Sequence, residues 1–258
     1  MKIISSVQNQ EIKNLLTLQK KSRERKKQKL FVVEGSKEIE RALLGNYCFK
    51  VVFIREGSPN IFNISGQSIT ELITIKDKLF DKITIRSGSE KYIGIAMSKS
   101  HDLSEIKIDK KDTFLVAESI EKPGNIGALL RTCSGLGISA FILSNPKTDI
   151  YHPSIIRSSL GGVFNIPIVV TSSNEIINYF LNKKVNVVSA VLAPNSISIN
   201  KANYKKPCAI VVGSESKGLE EKWIQSSSQI VKINMNNNID SLNVSVAAAI
   251  ILKQCIDN

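Results

Sequence analysis

Residues 113–132 read TFLVAESIEKPGNIGALLRT, and this stretch predicts the architecture of the second half of the chain. A short apolar run at 114–117 is followed by a polar turn and then by a helical pattern that begins at Ile126. Further apolar runs, each followed by a helical stretch, lie at 140–143, 166–170, 185–191, 209–212 and 230–233. Strands that alternate with helices in this way indicate a parallel sheet covered on both faces. We therefore predict an α/β domain at 113–258.

The first hundred residues predict a smaller αβ domain. Helical patterns lie at 9–21, 36–44 and 71–80, and strand patterns lie at 30–33, 50–54, 82–86 and 92–97. The stretch that follows is polar and charged, with little to bury, which is typical of a linker. The predicted organisation is a domain at 1–98, a linker at 99–112 and a second domain at 113–258.

The charge of the chain favours a polyanionic partner. Its 258 residues include 35 basic and 23 acidic side chains, for a net charge of +12. Residues 1–30 alone hold nine basic and two acidic side chains, most densely in KKSRERKKQK at 20–29. Neutralising phosphates with such a run releases counterions, so nucleic acid is the expected partner. A solvated helix face or a loose basic tail is the alternative. The candidate contacts in this basic arm are Arg23, Arg25, Lys26 and Lys27.

Composition excludes several other classes of protein. No stretch approaches the roughly 20 apolar residues of a membrane span, and the N-terminus lacks the apolar core of a signal peptide, so we expect a cytoplasmic protein with no membrane partner. Four widely spaced cysteines and two histidines do not form a metal-ligand pattern. We therefore predict no metal, and buried free thiols at Cys48, Cys133, Cys208 and Cys255.

Three polar, glycine-containing segments follow predicted strands, where open α/β sheets bind their ligands. They are EKPGNIGALLRT at 121–132, VVGSESKGL at 211–219 and INMNNNIDSLNVSVAAAI at 233–250. Asn125 is predicted to cap the helix that begins at Ile126, and Asp240 or Ser241 to cap the last helix. Capping alone is an alternative explanation of the first segment. A nucleotide P-loop is disfavoured because Leu219 stands where that motif needs lysine, and no GxGxxG occurs.

In this order, the three segments resemble the SpoU (TrmH-like) family of RNA ribose 2′-O-methyltransferases, in the SPOUT superfamily. That family carries PGNxGAxxRT, GSExxGL and DSLNVSxA, and HPSIIRSSLGGVFNIP at 152–167 is similar to a further family segment. FVVEG at 31–35 is similar to the substrate-binding domain that often precedes the catalytic one. The chain departs from the family at Asn234 and Asn237, in place of proline and glycine, and at Ile93, in place of glutamine.

The resemblance implies roles for five catalytic candidates. Arg131 is expected to hold the phosphate beside the reacting ribose and to stabilise the developing alkoxide, because an arginine is a poor proton acceptor. Asn125 is expected to orient Arg131 or the ribose. Glu215 is expected either to fix its loop or to pair with Arg131, while Ser241 and Asn243 complete a hydrogen-bonding wall.

The resemblance also implies a C-terminal parallel sheet with a trefoil knot, S-adenosylmethionine as cofactor and a homodimer formed through the C-terminal domain. The expected cofactor-binding residues are Gly213, Gly218, Ile233 and Leu242. Arg157 and Ser159 are further candidates for RNA contact, although Arg157 also fits an ordinary surface charge.

The predicted function is S-adenosylmethionine-dependent methylation of a ribose 2′-oxygen, with large-subunit rRNA as the expected substrate. A separate N-terminal domain with a basic arm suits a large folded RNA. Three alternatives stay open: a tRNA methyltransferase, an enzyme that masks an antibiotic site on rRNA, and a catalytically silent RNA-binding or ribosome-assembly factor on the same fold.

Overall fold

The computed structural model describes residues 2–62, 68–85, 90–236 and 241–258. The chain forms two compact units. The first comprises Met1–Ser100 and Asp149–Asn165, and the second comprises His101–Thr148 and Ile166–Asn258. The segment 149–165 thus packs with the first unit although it lies in the second half of the chain. The domain boundaries predicted from the sequence stay a prediction.

The strands of the described residues are, in chain order, β1 (Lys2–Ile4), β2 (Leu30–Glu34), β3 (Phe49–Arg55), β4 (Leu72–Ile75), β5 (Tyr92–Met97), β6 (Thr113–Glu118), β7 (Ala140–Ser144), β8 (Ile168–Thr171), β9 (Asn186–Ala190), β10 (Ile197–Ser198), β11 (Cys208–Val212) and β12 (Gln229–Lys232). The α-helices are α1 (Gln10–Lys20), α2 (Ser22–Gln28), α3 (Ser36–Leu44), α4 (Asp77–Ile83), α5 (Pro123–Leu136), α6 (Pro153–Ser158), α7 (Ser173–Asn182), α8 (Glu221–Ser226) and α9 (Val244–Asp257).

The first unit is a five-stranded mixed sheet in the order β1-β4-β3-β5-β2. β5 runs antiparallel to both β2 and β3, whereas β4 runs parallel to β1 and β3. Helix α1 places its apolar side chains on this sheet, and Ile12, Leu15 and Leu18 are fully buried. These residues are three positions apart, so they lie on one face of the helix. The observed α1 confirms the helix predicted at 9–21.

Two predictions in this unit are wrong. The helix predicted over 71–80 is instead strand β4 followed by helix α4. β4 forms hydrogen bonds to β1 on one side and β3 on the other, so tertiary pairing overrides the local helical pattern. The strand predicted at 82–86 is also wrong, since Lys82 and Ile83 close α4 and Ile83 packs in the core. Residues 86–89 lie outside the described part of the chain.

The segment 149–165 is held in the first unit by aromatic rings and one ion pair. The Tyr151 ring stacks on Phe31 of β2, with 4.0 Å between centroids and 15° between planes. The hydroxyls of Tyr47 and Tyr151 lie 3.3 Å apart, and Arg25 pairs with Asp149 at 2.5 Å. Stacked aromatic rings bury a large apolar area and fix orientation, which explains why this segment packs here.

The second unit is a seven-stranded parallel sheet in the order β10-β12-β9-β11-β6-β7-β8, which confirms the predicted sheet type. Its central strands are buried along their whole length, as expected for strands covered on both faces. Helix α9 packs on α5 and β11. The predicted linker is partly structured. It contains a short 3-10 helix (Leu103–Glu105) and the buried Ile106, and the His101 carbonyl accepts a hydrogen bond from Val170 N of β8.

The cysteines agree with the prediction at three of four positions. Cys133, Cys208 and Cys255 are buried free thiols, whereas Cys48 is exposed because it lies in the turn before β3. Burial raises the pKa of the Cys133 thiol well above its usual range. Among the residues that the structure describes, no helix has the length and apolar character needed to span a membrane.

Candidate active site

The three polar segments follow β6, β11 and β12, whose last residues are Glu118, Val212 and Lys232. Because all three strands are parallel members of one sheet, these segments leave it at the same edge. This carboxyl edge is where open α/β sheets bind ligands. The site can therefore be built from the first turn of α5, the loop after β11 and the segment that leads into α9.

Helix α5 begins three residues earlier than predicted, at Pro123, with Lys122 as its N-cap. Proline suits the first helical position because its fixed φ is helical and its missing N–H needs no partner there. The prediction that Asn125 caps this helix is therefore wrong. Asn125 lies inside the first turn, and its side-chain amide bonds to other segments instead.

A chain of polar contacts joins the three segments. Asn125 Nδ2 donates to Glu215 Oε1 in the loop after β11. Asn243 Nδ2, just before α9, donates to Asn125 Oδ1 at 3.2 Å. Glu215 Oε2 also pairs with Lys122 Nζ at 2.7 Å. Asn125, Glu215 and Asn243 are thus brought together, and the cation beside Glu215 is Lys122 and not Arg131.

The ion pair changes the titration of Lys122. Its ammonium donates to the Glu215 carboxylate, and this hydrogen bond and the attraction between the charges raise the pKa of Lys122. The Lys122–Glu215 pair carries little net charge. Arg131, the charged residue within α5, therefore keeps a positive charge that this pair does not offset.

Asn243 has two functions at the start of α9. Its Oδ1 accepts hydrogen bonds from Ser245 N at 2.9 Å and from Ser245 Oγ at 2.6 Å, so Asn243 is the N-cap of this helix. The prediction of Ser241 as the cap is therefore wrong, and Asp240 lies outside the described residues. Because the same side chain donates to Asn125, it also ties α9 to α5.

The loop at 213–219 closes tightly on itself. Gly218 N donates to Ser214 O at 2.9 Å, and Gly218 has a positive φ of 65°. A Cβ on Gly213 would lie 2.3 Å from the carbonyl carbon and oxygen of Gly218. Only glycine fits at 213, because a side chain there would force the two arms of the loop apart.

An apolar cleft of about 120 Å³, open to solvent, lies beside the ends of β9 and β12. Of the predicted cofactor contacts, Ile233 and Leu242 line it, whereas Gly213 and Gly218 do not. Ser241 also lines it, with Ala190, Leu192 and Met235. Apolar walls with a few polar groups are the lining that suits an adenosine-containing ligand. The residues present therefore fit S-adenosylmethionine.

Arg131 is exposed on α5, and its guanidinium forms no hydrogen bond or ion pair within the described part of the chain. A guanidinium presents five N–H donors in a planar fork that matches a phosphate. Arg131 is thus available to an external anion, and the structure does not join it to Asn125 or Glu215.

The basic candidates in the first unit fall into two groups. Arg23, Lys26 and Lys27 are exposed on α2, and Arg157 is exposed on α6. Arg25 is buried, and its guanidinium is occupied by Asp149 and by the Leu18 carbonyl at 2.7 Å.

Ser159, like Arg25, is buried. It donates to the Ile156 carbonyl at 3.0 Å. The side chains of Arg25 and Ser159 therefore have internal partners and do not face solvent, which does not favour the RNA contacts predicted for them.

Several residues of the site were missed in the sequence analysis. Lys122, the partner of Glu215, is adjacent to a motif but has the common surface role of lysine. Leu192 and Met235 look like ordinary apolar residues until the cleft is formed. Glu118 carried a readable signal, because a carboxylate that ends an otherwise apolar strand must find buried partners.

Comparison with known proteins identifies the family of the chain. Residues 112–253 match the SpoU rRNA Methylase family, and residues 9–94 match the MRM3-like substrate binding domain. The 23S rRNA (guanosine(2553)-2′-O)-methyltransferase RlmP of Bacillus subtilis is 23% identical, with 98% of each chain covered. The crystal structure of an AdoMet-bound rRNA methyltransferase from Sinorhizobium meliloti has a TM-score of 0.91 and 25% identity, with 98% of this chain and 97% of that one covered.

A tRNA (guanosine(18)-2′-O)-methyltransferase of Thermus thermophilus is 30% identical over 142 residues, which are 55% of this chain and 72% of the relative. The family match and these relatives define the class, an S-adenosylmethionine-dependent RNA 2′-O-methyltransferase, and the parallel sheet with polar loops at its carboxyl edge is consistent with it. The chain belongs to the SpoU rRNA Methylase family. The activity and cofactor predicted from the sequence are confirmed at this level.

Proposed function

We propose that this protein methylates a ribose 2′-oxygen in large-subunit rRNA. The proposal rests on how much of the chain aligns with each relative. The Bacillus relative named for 23S rRNA aligns over 98% of both chains, so the alignment includes the substrate-binding domain. The tRNA relative aligns over 55% of this chain. An N-terminal unit with a basic helix is an additional surface for a large folded RNA.

Arg131 is the residue that we assign to the reacting ribose. S-adenosylmethionine, when bound, supplies an electrophilic methyl group on a sulfonium centre. Arg131 stays protonated at neutral pH, so it is a poor base and a good partner for an anion. We assign it to holding the neighbouring phosphate and stabilising charge on the 2′-oxygen, while the proton passes to phosphate or water.

Asn125, Glu215 and Asn243 hold the site in place. Their contacts tie the first turn of α5 to the loop after β11 and to the start of α9. Positioning reacting groups in this way lowers the entropic part of the barrier. Of the two predicted roles of Glu215, fixing the loop is the one that its pairing with Lys122 supports.

The cofactor is assigned to the apolar cleft. Ile233 and Leu242 provide walls for an adenine ring, and Ser241 provides a hydroxyl. Where the family has proline, Asn234 reaches Ser198 Oγ at 3.4 Å, so a side-chain contact supports this segment. Asn237 lies outside the described residues.

The RNA-binding surface of the first unit is assigned to Arg23, Lys26 and Lys27 on α2 and to Arg157 on α6. All four are exposed cations, and each can neutralise a phosphate. Ile93, in place of the family's glutamine, is fully buried in β5, so its side chain makes no contact with RNA.

We further propose that the protein is a cytoplasmic homodimer with a knotted C-terminal domain. Val246 and Ile250, four residues apart on α9, are 47% and 38% exposed, which leaves an apolar stripe on this helix. A second copy of the chain is the partner that we propose for it. The knot is proposed from the resemblance of the motifs, and the cytoplasm is the compartment of the proposed substrate.

The test is methyl transfer from labelled S-adenosylmethionine to total RNA that lacks this modification. We expect label in large-subunit rRNA, recovered after alkaline hydrolysis as a resistant dinucleotide. Arg131→Ala should lower turnover by about 10²-fold or more, the scale for loss of one charge-stabilising group. Lys110→Ala, which removes an exposed cation outside the site, should match the wild type.

Other outcomes distinguish the alternatives. Label in tRNA would change the substrate and keep the chemistry. Cofactor binding without label in mature RNA, followed by label in precursor particles, would indicate an assembly intermediate as substrate. No label and no cofactor binding would favour a silent RNA-binding factor. Near-full turnover in Arg131→Lys would contradict the bidentate role of Arg131.

A further inference from the structure

We propose that Glu118 is a positioning residue for methyl transfer. Its buried carboxylate accepts a hydrogen bond from Trp223, and this bond joins the loop after β6 to the loop after β11. The exposed ends of the same two loops are joined by the bond from Asn125 to Glu215. This inference rests on the proposed function for its effect on activity. The bond from Trp223 to Glu118 lies entirely within the second unit, in residues that the sequence motifs do not include.

Glu118 is the last residue of β6 and is only 1% exposed. Its Oε2 accepts from Ser173 Oγ at 2.5 Å and from Trp223 Nε1 at 3.0 Å. Its Oε1 accepts from Asn145 Nδ2 at 3.1 Å. One carboxylate thus gathers side chains from β6, the end of β7, α7 and α8.

These partners are all neutral donors, and within the described residues Glu118 forms no ion pair. Burial alone would raise the pKa of Glu118, but hydrogen bonds from Ser173, Ser144, Trp223 and Asn145 together lower it. The carboxylate therefore stays ionised, and it accepts from every partner at once. A glutamine would place an N–H₂ against at least one of these donors.

The two loops are bridged at both ends. One loop runs from Glu118 to Asn125 and carries the start of α5, and the other runs from Glu215 to Trp223. Asn125 donates to Glu215 at the exposed end, and Trp223 donates to Glu118 at the buried end. Ser119, with a positive φ of 51°, turns the chain directly after Glu118, and its N–H donates to the Ser144 carbonyl at 2.9 Å.

Only one of the described partners of Glu118 belongs to the segment after β11. Ser144, Asn145 and Ser173 fix the carboxylate to the β7 side of the sheet. Trp223, which is fully buried, is the partner from α8, directly beyond the 213–219 loop. Removing Trp223 Nε1 should therefore release the loop that carries Glu215, whereas removing Ser173 Oγ should not.

The comparison of Trp223→Phe with Ser173→Ala tests this inference. Each variant removes one neutral hydrogen bond to the same carboxylate, and Ser173→Ala also removes the contacts of Ser173 Oγ with Ser144 and Asn145. We expect Trp223→Phe to lower kcat by roughly tenfold to a hundredfold, the scale for a misplaced catalytic group. Its KM for RNA should be unchanged, because the RNA contacts of the first unit are intact. Ser173→Ala should keep kcat within about threefold, a difference worth less than 0.7 kcal/mol.

Activity that follows stability alone would overturn the proposal. If both variants lose kcat in proportion to their loss of unfolding free energy, Glu118 is merely structural. The same conclusion holds if Trp223→Phe turns over normally.

A second readout does not depend on turnover. Trp223 is the one tryptophan of the chain, so intrinsic fluorescence reports directly on this contact. The segment that leads from the cleft into α9 is tied to α5 by the bond from Asn243 to Asn125. We therefore expect the emission of wild-type protein to change on titration with S-adenosylhomocysteine, and Glu118→Gln to need roughly tenfold more ligand. Equal titrations, or saturation seen by calorimetry without any change in emission, would refute the coupling. If the wild type methylates no RNA, the proposed function fails, while this titration still decides the inference.

Discussion

Each of the two compact units buries charged side chains, and the charges of two of them, Arg25 and Glu118, are compensated in different ways. In the first unit, Arg25 is 3% exposed and is neutralised by the carboxylate of Asp149. In the second unit, the partners of Glu118 among the described residues are neutral donors from serine, asparagine and tryptophan side chains. The ion pair joins two segments that are distant in the chain, whereas the neutral network joins several loops at the sheet edge.

The difference shows what each arrangement is suited for. An ion pair depends on both partners, so loss of one leaves an unpaired charge in a buried place. A carboxylate with several neutral donors can lose one of them and keep the others. The first arrangement suits a single fixed junction, and the second suits a point from which loops are positioned.

The largest effect is expected from Asp149→Ala, which leaves Arg25 buried without its anion. We expect a loss of about 3–5 kcal/mol in the free energy of unfolding, measured by urea denaturation. The control is Glu56→Ala, which breaks the exposed pair with Lys76 and should cost no more than about 1 kcal/mol. Similar losses in the two variants would show that burial does not distinguish these pairs.

A smaller loss is expected from Glu118→Gln, about 1–3 kcal/mol, because one buried donor is left opposite an amide N–H₂. Urea denaturation followed by circular dichroism measures it without relying on Trp223. Glu121→Gln, three residues along and exposed, should be close to the wild type. A loss as large as that of Asp149→Ala would mean that the neutral network has no tolerance for losing the charge.

The pH dependence of stability separates the two arrangements further. The folded-state pKa of Glu118 lies below its ordinary value of 4.5, so its contribution is present above pH 4.5 and is lost as pH falls through the folded pKa. Gln cannot titrate, so the stability difference between wild type and Glu118→Gln should shrink on acidification below pH 4.5. A difference that stays constant to pH 3 would contradict a lowered pKa.

The smallest effect concerns the exposed neighbours of Arg25. Lys26→Ala should leave stability unchanged and reduce the slope of log affinity against log salt for RNA by about 0.7–1, the share of one phosphate. Filter binding at several salt concentrations measures this slope. Arg25→Gln should lower stability without a matching loss of slope. The opposite pattern would place Arg25, and not Lys26, against RNA.

Much of the second unit could be predicted from the sequence. The sequence shows six of its strands as apolar runs, because a strand buried on both faces must be apolar along its length. The turn residues between these runs indicate the parallel arrangement and the three polar segments at one edge. Asn125, Glu215 and Asn243 were recognised through motifs, and the structure brings them into contact. The caps were predicted less well, since Pro123 and Asn243 start their helices where alternatives of similar local preference existed.

The first unit was harder to predict. The pattern at 72–75 is compatible with helix or strand, and pairing with β1 and β3 selects the strand. In the basic run, Arg25 is buried whereas the lysines are exposed. This difference could not be predicted, because nothing in the run shows that Arg25 pairs with Asp149, more than a hundred residues away.

The amino-acid sequence thus specifies the parallel sheet, the family and the candidate residues of the site, because apolar periodicity and short motifs are local properties of the chain. The partners of those residues follow from the fold. The pairing of Glu215 with Lys122, the cleft at Leu242 and the bond between Glu118 and Trp223 all join residues from separate elements. Such contacts arise only when strands that are distant in sequence become neighbours, so tertiary packing selects among partners that local preference leaves equivalent.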